Sequence, residues 1–313
     1  MQAYCRSILS TFADTCKTNG NSMVTVLLSG GLGNQMFQYA AAKSLAIRLN
    51  TTLSVDLYTF SKKTQATVRP YELGIFNIED VVETSSLKAK AVTKARPFIQ
   101  KYRSFFQRLG VFTDTYAILY QPAFEALTGD VIMYGYFQNE SYFNNISELL
   151  RKDFSFKYPL TGKNKDIAGL VSENQSIAVH IRRGDYLNKN SQSNFAILEK
   201  DYYENAINYI SANVKNPEFY VFSEDFDWIK DNLNFKEFPV TFIDWNKGKN
   251  SYIDMQLMSL CKHNIIANSS FSWWSAWLNN NEEKNIIAPK RWFVDEQKNE
   301  LLDCFYPQGW MKI

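Results

Sequence analysis

The sequence predicts an α/β protein made of two Rossmann-like halves that face each other across a cleft. Two observations carry that prediction. Two separate stretches repeat one grammar, an apolar strand followed by a loop of small or polar residues and then a helix. Strands that alternate with helices in this way build parallel sheets covered on both faces. Between the two stretches, residues 154–166 gather proline, glycine, lysine and asparagine, the composition of a connection rather than of an element.

The first stretch begins at Met23. Residues 24–28 read as a strand, 29–35 as a glycine-rich loop, 36–49 as a helix and 52–55 as a second strand. The second stretch is longer. Residues 177–181 read as a strand, 201–214 as a helix with apolar positions near helical spacing, 219–222 as a strand, 227–233 as a short helix and 240–243 as a strand. A helix over 252–261, a strand over 264–267 and a helix over 271–279 follow. The expected organisation is an N-terminal half over 23–155 and a C-terminal half over 156–313, with the last helix placed to pack back on the N-terminal half. Residues 1–22 read as an extension with no assigned role. They hold Cys5, Cys16 and Asp14 and lack a long apolar core, so they make a poor signal peptide.

Composition narrows the function classes. At 313 residues the chain suffices for one large domain or two of ordinary size. A net charge of +2 is too small to argue for a nucleic-acid partner. Cys5, Cys16, Cys261 and Cys304 have neither zinc spacing nor the density of a disulfide framework, which points to a reducing, cytoplasmic setting. His180 and His263 are the only histidines, too few for a His-rich metal centre. No apolar run in the sequence reaches the ~20 residues that span a bilayer. Residues 88–108 nevertheless carry seven basic side chains and no acidic one, with Phe98, Tyr102, Phe105 and Phe106 interleaved. Such a face suits peripheral contact with the inner, anionic face of a membrane, or a lipid-linked substrate. A solvated helix whose aromatics enter the core produces the same pattern.

The hexapeptide from His180 to Asp185 (His-Ile-Arg-Arg-Gly-Asp) closes the strand 177–181. Strand side chains alternate, so Ala178, His180 and Arg182 share one face while Ile177, Val179 and Ile181 share the other. Polar groups at the carboxyl end of a strand lie where open α/β sheets bind ligands. Guanidinium forks match phosphate oxygens in pairs. The motif therefore reads as a site for a phosphorylated ligand, against the plainer reading of a surface Arg–Asp pair closing a turn.

Further motifs add to this. The run from Gly30 to Gln35 (Gly-Gly-Leu-Gly-Asn-Gln) opens a helix after a strand, as a dinucleotide fingerprint does, but the third glycine of that pattern would fall at Met36. Asp56 stands about where a ribose-binding acid would fall. The glycines equally permit a tight turn, or present Asn34 and Gln35 to a hydroxyl-rich ligand such as a sugar. The run Asn268, Ser269, Ser270, Phe271, Ser272 starts an apolar helix, and one serine there is explained by capping. Three serines and an asparagine exceed what a cap needs, and a helix N-terminus also binds phosphate. Trp273, Trp274 and Trp277 read as core. Asp254, opening its helix, either complements the dipole or accepts from the N1–H and N2–H₂ edge of guanine. Asp225 and Asp227 resemble a metal-binding Asp-x-Asp pair, although Asp227 fits equally as a helix N-cap.

Four motifs in order, 30–40, 180–186, 222–225 and 269–274, together resemble the α-1,2-fucosyltransferases of glycosyltransferase family 11, over roughly Met23 to the C-terminus. The resemblance implies a two-domain GT-B-type fold and an inverting transfer of L-fucose from GDP-β-L-fucose to the 2-hydroxyl of a terminal galactose. It implies no metal and no cofactor, with GDP-fucose and a galactose-terminated glycan as partners. By resemblance, Arg182 holds the β-phosphate, His180 and Asp254 serve the guanosine end, and Ser269 and Ser270 touch the pyrophosphate beside Phe271. Arg183 joins this donor set, or else orients the loop by pairing with Asp185 or another acid. Gly33, Asn34 and Gln35 fall on the acceptor side. Asp185 is the nearest carboxylate in sequence for taking the acceptor proton, and it also fits as the structural partner of an arginine. Rival readings are a metal-dependent nucleotide-sugar transferase using Asp225 and Asp227, and a nucleotide- or glycan-binding protein without turnover. An NAD-dependent oxidoreductase rests on the glycine loop alone and leaves the arginines and serines unexplained.

Overall fold

The computed structural model describes residues 22–61, 70–79, 81–84, 87–184 and 193–313. The chain divides into two compact units, Met1–Lys157 and Tyr158–Ile313. The first contains β1 (Met23–Leu27), α1 (Leu32–Arg48), β2 (Thr52–Asp56), β3 (Val81–Thr84), α2 (Leu87–Lys101), α3 (Arg103–Arg108), β4 (Val111–Phe112), β5 (Val131–Met133) and α4 (Ser147–Asp153). Its five strands pair in parallel in the order β3-β2-β1-β5-β4. Helix α1 starts at Leu32 rather than at residue 36. Gly30 takes a left-handed φ of 79° and Gly31 is the extended N-cap, so the turn is complete by residue 31. Gly33, Asn34 and Gln35 thus belong to the first helical turn and not to the loop.

The basic segment forms α2 and α3. Ala89, Val92, Ala95 and Ile99, at helical spacing, pack with Leu27, Phe106 and Val111. Lys90, Lys94, Lys101 and Arg108 lie on the exposed side. The aromatics divide. Phe106 is buried and Phe98 packs against the core, as the plainer reading expects, but Tyr102 and Phe105 are 51% and 47% exposed.

The second unit contains α5 (Gly162–Glu173), β6 (Gln175–Ile181), α6 (Lys200–Asn213), β7 (Pro217–Ser223), α7 (Phe226–Asn232), β8 (Val240–Ile243), α8 (Tyr252–Leu260), β9 (His263–Ile265), α9 (Ser270–Leu278), β10 (Ile286–Ala288), α10 (Glu296–Asn299) and β11 (Met311–Lys312). Six strands pair in parallel in the order β11-β10-β9-β6-β7-β8. Two-faced burial explains the apolar run of β6. Ile177, Val179 and Ile181 pack on Tyr203, Ile207 and Ile210 of α6 and Ile229 of α7. Ala178 faces the other way, onto Val171 of α5 and Leu257 and Met258 of α8. Helix α9 packs on α8, and Trp273 and Trp274 are fully buried. The chain ends as edge strand β11, and α10 belongs to this second unit. Among the described residues, no helix is long and apolar enough to cross a membrane.

Candidate functional site

Strand order locates the site. In the second sheet the chain moves from β6 outward through β7 and β8, then returns to β9 on the opposite side of β6. The loops leaving β6 and β9 lead to helices on opposite faces, and in open α/β sheets the carboxyl ends of two such strands are where ligands bind. Strand β6 ends at Ile181, carrying His180 and leading to Arg182, and β9 leads through Asn268 to α9. Two motifs far apart in sequence therefore meet at one switch point. The His180 ring lies against that of Phe271, with centroids 5.8 Å apart.

His180 is buried, and its pKa is pushed down to about 3, by burial first and by the Arg182 charge second. It is a neutral imidazole at neutral pH. Its buried Nδ1 has no hydrogen-bond partner among the described residues. An unmatched buried polar atom costs about 1–3 kcal/mol, so a ligand that hydrogen-bonds to it recovers that cost.

The serine-rich helix start divides into scaffold and site. Asn268 is spent on structure, since its Nδ2 donates to the Ala196 and Trp292 carbonyls at 2.7 and 3.0 Å. Ser269 is the N-cap, its Oγ accepting from Phe271 N–H at 3.3 Å. Ser272 is fully buried and its hydroxyl bonds to backbone carbonyls of Ala267 and Ser269. Ser270 and Phe271 remain partly exposed at the first turn of α9, a helix end that favours an anion through its free N–H groups and dipole.

Asp254 sits in the first turn of α8. Asn246 Nδ2 donates to its Oδ1 at 2.8 Å, and Asn246 is held by a reciprocal pair with Asn164, which also accepts from Trp245 Nε1. Burial raises the Asp254 pKa to about 7, against the smaller lowering by Asn246. A carboxylate oriented by an asparagine and paired with no cation among the described residues suits a ligand that supplies N–H donors.

Arg183 points elsewhere. Its guanidinium pairs with Asp225 at 3.4 Å and Glu199 at 4.0 Å, and lies 3.9 Å over the Trp228 ring. Asp225 also caps α7, accepting from Trp228 N–H at 3.3 Å, so the cap is Asp225 and not Asp227. The two sequence motifs 180–185 and 222–225 are thus tied by an arginine–aspartate pair with a structural task. Gly184 leaves room for the Glu224 side chain, since a Cβ there would fall 2.6 Å from Glu224 Oε2. Asp185 lies outside the described residues.

In the first unit, Gln35 is fully buried and committed. Its Nε2 donates to the Gly30 and Pro70 carbonyls and its Oε1 accepts from Glu72 N–H, each at 2.9 Å. Its amide braces the loop at residues 70–72. Gly33 is buried beside it, whereas Asn34 is partly exposed. Gln38 is a second brace, joining Ser29 to the Gly135 carbonyl. Sequence reasoning passed over Asp114, which lies near this brace. Its Oδ2 accepts from Tyr136 and Phe137 N–H at 2.6 and 3.0 Å.

Two parallel-sheet α/β units in one chain are the GT-B frame of glycosyltransferases. A solved structure of an Arabidopsis thaliana FUT1 mutant in complex with GDP matches the fold with a TM-score of 0.50 at 11% identity, covering 89% of this chain and 73% of that one. The sequence specifies the family. The sequence model of glycosyl transferase family 11 matches residues 3–313, and the chain belongs to that family. An Escherichia coli α-1,2-colitosyltransferase is 34% identical over 298 residues, 93% of this chain and 99% of the relative. Human galactoside α-(1,2)-fucosyltransferase 1 is 26% identical over 300 residues, 92% of this chain and 74% of the relative.

Proposed function

We propose that this protein transfers L-fucose from GDP-β-L-fucose to the 2-hydroxyl of a terminal galactose in an oligosaccharide, releasing GDP, with inversion at the anomeric carbon and without a metal. The observation that carries the reading is the β6/β9 switch point, where Arg182, a neutral His180 and the N-terminus of α9 converge. The acceptor oxygen bonds to the anomeric carbon as the bond to the β-phosphate oxygen breaks. The electron pair leaves with GDP, and the hydroxyl proton passes to a base, for which Asp185 stays the candidate. Negative charge grows on the β-phosphate, where a guanidinium and helix N–H groups stabilise it more in the transition state than in the ground state. The charge compensation these groups would supply, and the engagement of Asp225 by Arg183 and by α7, support a reaction without a cation.

A second sugar is favoured by a specific relative. Colitose is fucose without its 3-hydroxyl, and the 34% identical relative is named for colitosyl transfer. The deciding experiment supplies GDP-fucose and GDP-colitose separately with a β-galactoside and reads the linkage by NMR, with and without EDTA. The expected product is 2-linked fucosyl galactoside, formed equally well in EDTA. Loss of turnover in EDTA sinks the metal-free reading, and product from GDP-colitose alone reassigns the sugar.

The exposed side of α2 and α3 supports a peripheral contact with the inner, anionic face of a membrane. Lys90, Lys94, Lys101 and Arg108 supply charge, and Tyr102 and Phe105 supply interfacial aromatics. The protein is expected to co-sediment with vesicles containing anionic lipid and to be released as salt rises. Indifference to lipid charge would count against this contact.

A further inference from the structure

The first sheet has a switch point of its own, between β1 and β5, because the chain runs from β1 out through β2 and β3 and then crosses to β4 and β5 on the other side. Ligands of open α/β sheets bind at the carboxyl ends of such strands. Three side-chain contacts lace the segments that follow β1 and β5. Ser29 N–H donates to Gln38 Oε1 at 2.9 Å, Gln38 Nε2 donates to the Gly135 carbonyl at 2.8 Å, and Gln138 Nε2 donates to Asn34 Oδ1 at 2.7 Å.

Two polar groups are set into this rim against glycines. Gln138 takes the Asn34 oxygen, which fixes the amide and leaves Nδ2 as a donor. A Cβ on Gly30 would fall 2.7 Å from that Nδ2. Asp114 follows β4, and its Oδ2 is held by the backbone N–H groups of Tyr136 and Phe137. A Cβ on Gly135 would fall 2.5 Å from its Oδ1. Oδ1 has no hydrogen-bond donor among the described residues. The nearby arginines act on Asp114 only through their charge, since Arg103 bonds to Thr115 and Arg96 lies over the Tyr134 ring and bonds to that tyrosine. Burial raises the Asp114 pKa, the sign of a carboxylate short of compensating partners. The Tyr136 ring, covalently next to this clamp, is 39% exposed.

We propose that this rim is a glycan subsite, in which Asp114 Oδ1 accepts from hydroxyls of the acceptor sugar, Asn34 Nδ2 donates to a sugar oxygen, and Tyr136 lies against an apolar sugar face. A carboxylate beside an amide matches neighbouring hydroxyls, each a donor and an acceptor. An aromatic ring with a polar tip covers the C–H face of such a ligand. The inference rests on the glycosyl-transfer reading and adds to Asn34 two residues that no motif marks, Asp114 and Tyr136.

The test uses lactose as the probe, with affinity measured by saturation-transfer NMR on the full chain with GDP present. Asp114→Asn is the informative variant, because its carbonyl oxygen still accepts from the two backbone N–H groups while the second oxygen is lost. Lactose affinity is expected to fall about 10- to 100-fold, the scale of a hydrogen bond to a charged group, with GDP affinity and melting temperature unchanged. Asn34→Ala is expected to weaken lactose by about 3- to 10-fold, as for a neutral hydrogen bond, and decides the matter if Asp114→Asn does not fold. Equal lactose affinity in the folded variant and the parent, or no lactose binding by the parent, overturns the subsite. Failure of the parent to bind GDP instead overturns the donor reading, and the lactose result still judges the subsite.

Discussion

Replacing Arg182 by alanine lowers kcat by about 10²–10³, the cost of removing one fixed donor from a developing oxyanion, and leaves the fold in place. In the proposed reaction the group it would stabilise is the β-phosphate of departing GDP, so the loss is expected to fall on turnover more than on donor KM. The fold is expected to survive because the neighbouring residue also anchors this strand end. Arg183 ties the segment after β6 to α7 through Asp225 and Trp228. Arg183→Ala is the contrast, expected to lower the melting temperature. Steady-state kinetics with circular dichroism distinguishes the two. Near-parental turnover in a folded Arg182→Ala variant removes Arg182 from the phosphate, and with it the argument that places the donor at the β6/β9 switch point.

The parts of this architecture that were legible in the sequence are those whose burial is written into consecutive residues. Strands β6 and β7 are seven residues each and buried on both faces, so they appear as apolar runs bounded by polar ends. Their motifs could be placed at the carboxyl edge before any pairing was known. Strands β3, β4, β5, β10 and β11 are two to four residues long. Such segments carry too few residues for a period, and they are strands because a neighbouring strand offers them a ladder. Without β5 and β4 the order β3-β2-β1-β5-β4 cannot be drawn, and the first switch point stays hidden. Asp114 was missed for the same reason, since its setting is made by Gly135, Tyr136 and Phe137, which lie beyond strand β5. Gln35 shows the converse. Its residue type invites a ligand role, but its amide is wholly used inside the protein, and the partners at Pro70 and Glu72 could not be inferred from spacing.

The affinity for GDP is expected to depend on pH through Asp254, weakening about tenfold per pH unit below about 7 and levelling off above it. The sign follows from the chemistry of the contact. Guanine presents N1–H and N2–H₂, two donors, and only the ionised carboxylate accepts both. Burial holds the group protonated up to about pH 7, so below that value binding must first remove a proton. The same shift acts on the unliganded fold. A carboxyl whose folded pKa lies above its unfolded value of 3.8 binds protons more tightly when native, so its contribution to stability is lost as pH rises from about 4 to 7. Guanine bound there would offset that loss by giving the charge its donors. Asp254→Asn is therefore expected to flatten the pH profile, to weaken GDP at pH 8 by about 10- to 100-fold, and to erase preference for GDP over ADP, because an amide offers one acceptor and one donor where guanine needs two acceptors. Calorimetric titration of GDP and ADP between pH 5 and 8 measures all three. A GDP affinity that stays level across that range in the parent protein detaches Asp254 from the base and leaves the Asn164–Asn246–Asp254 network as a purely structural tie between α5 and α8.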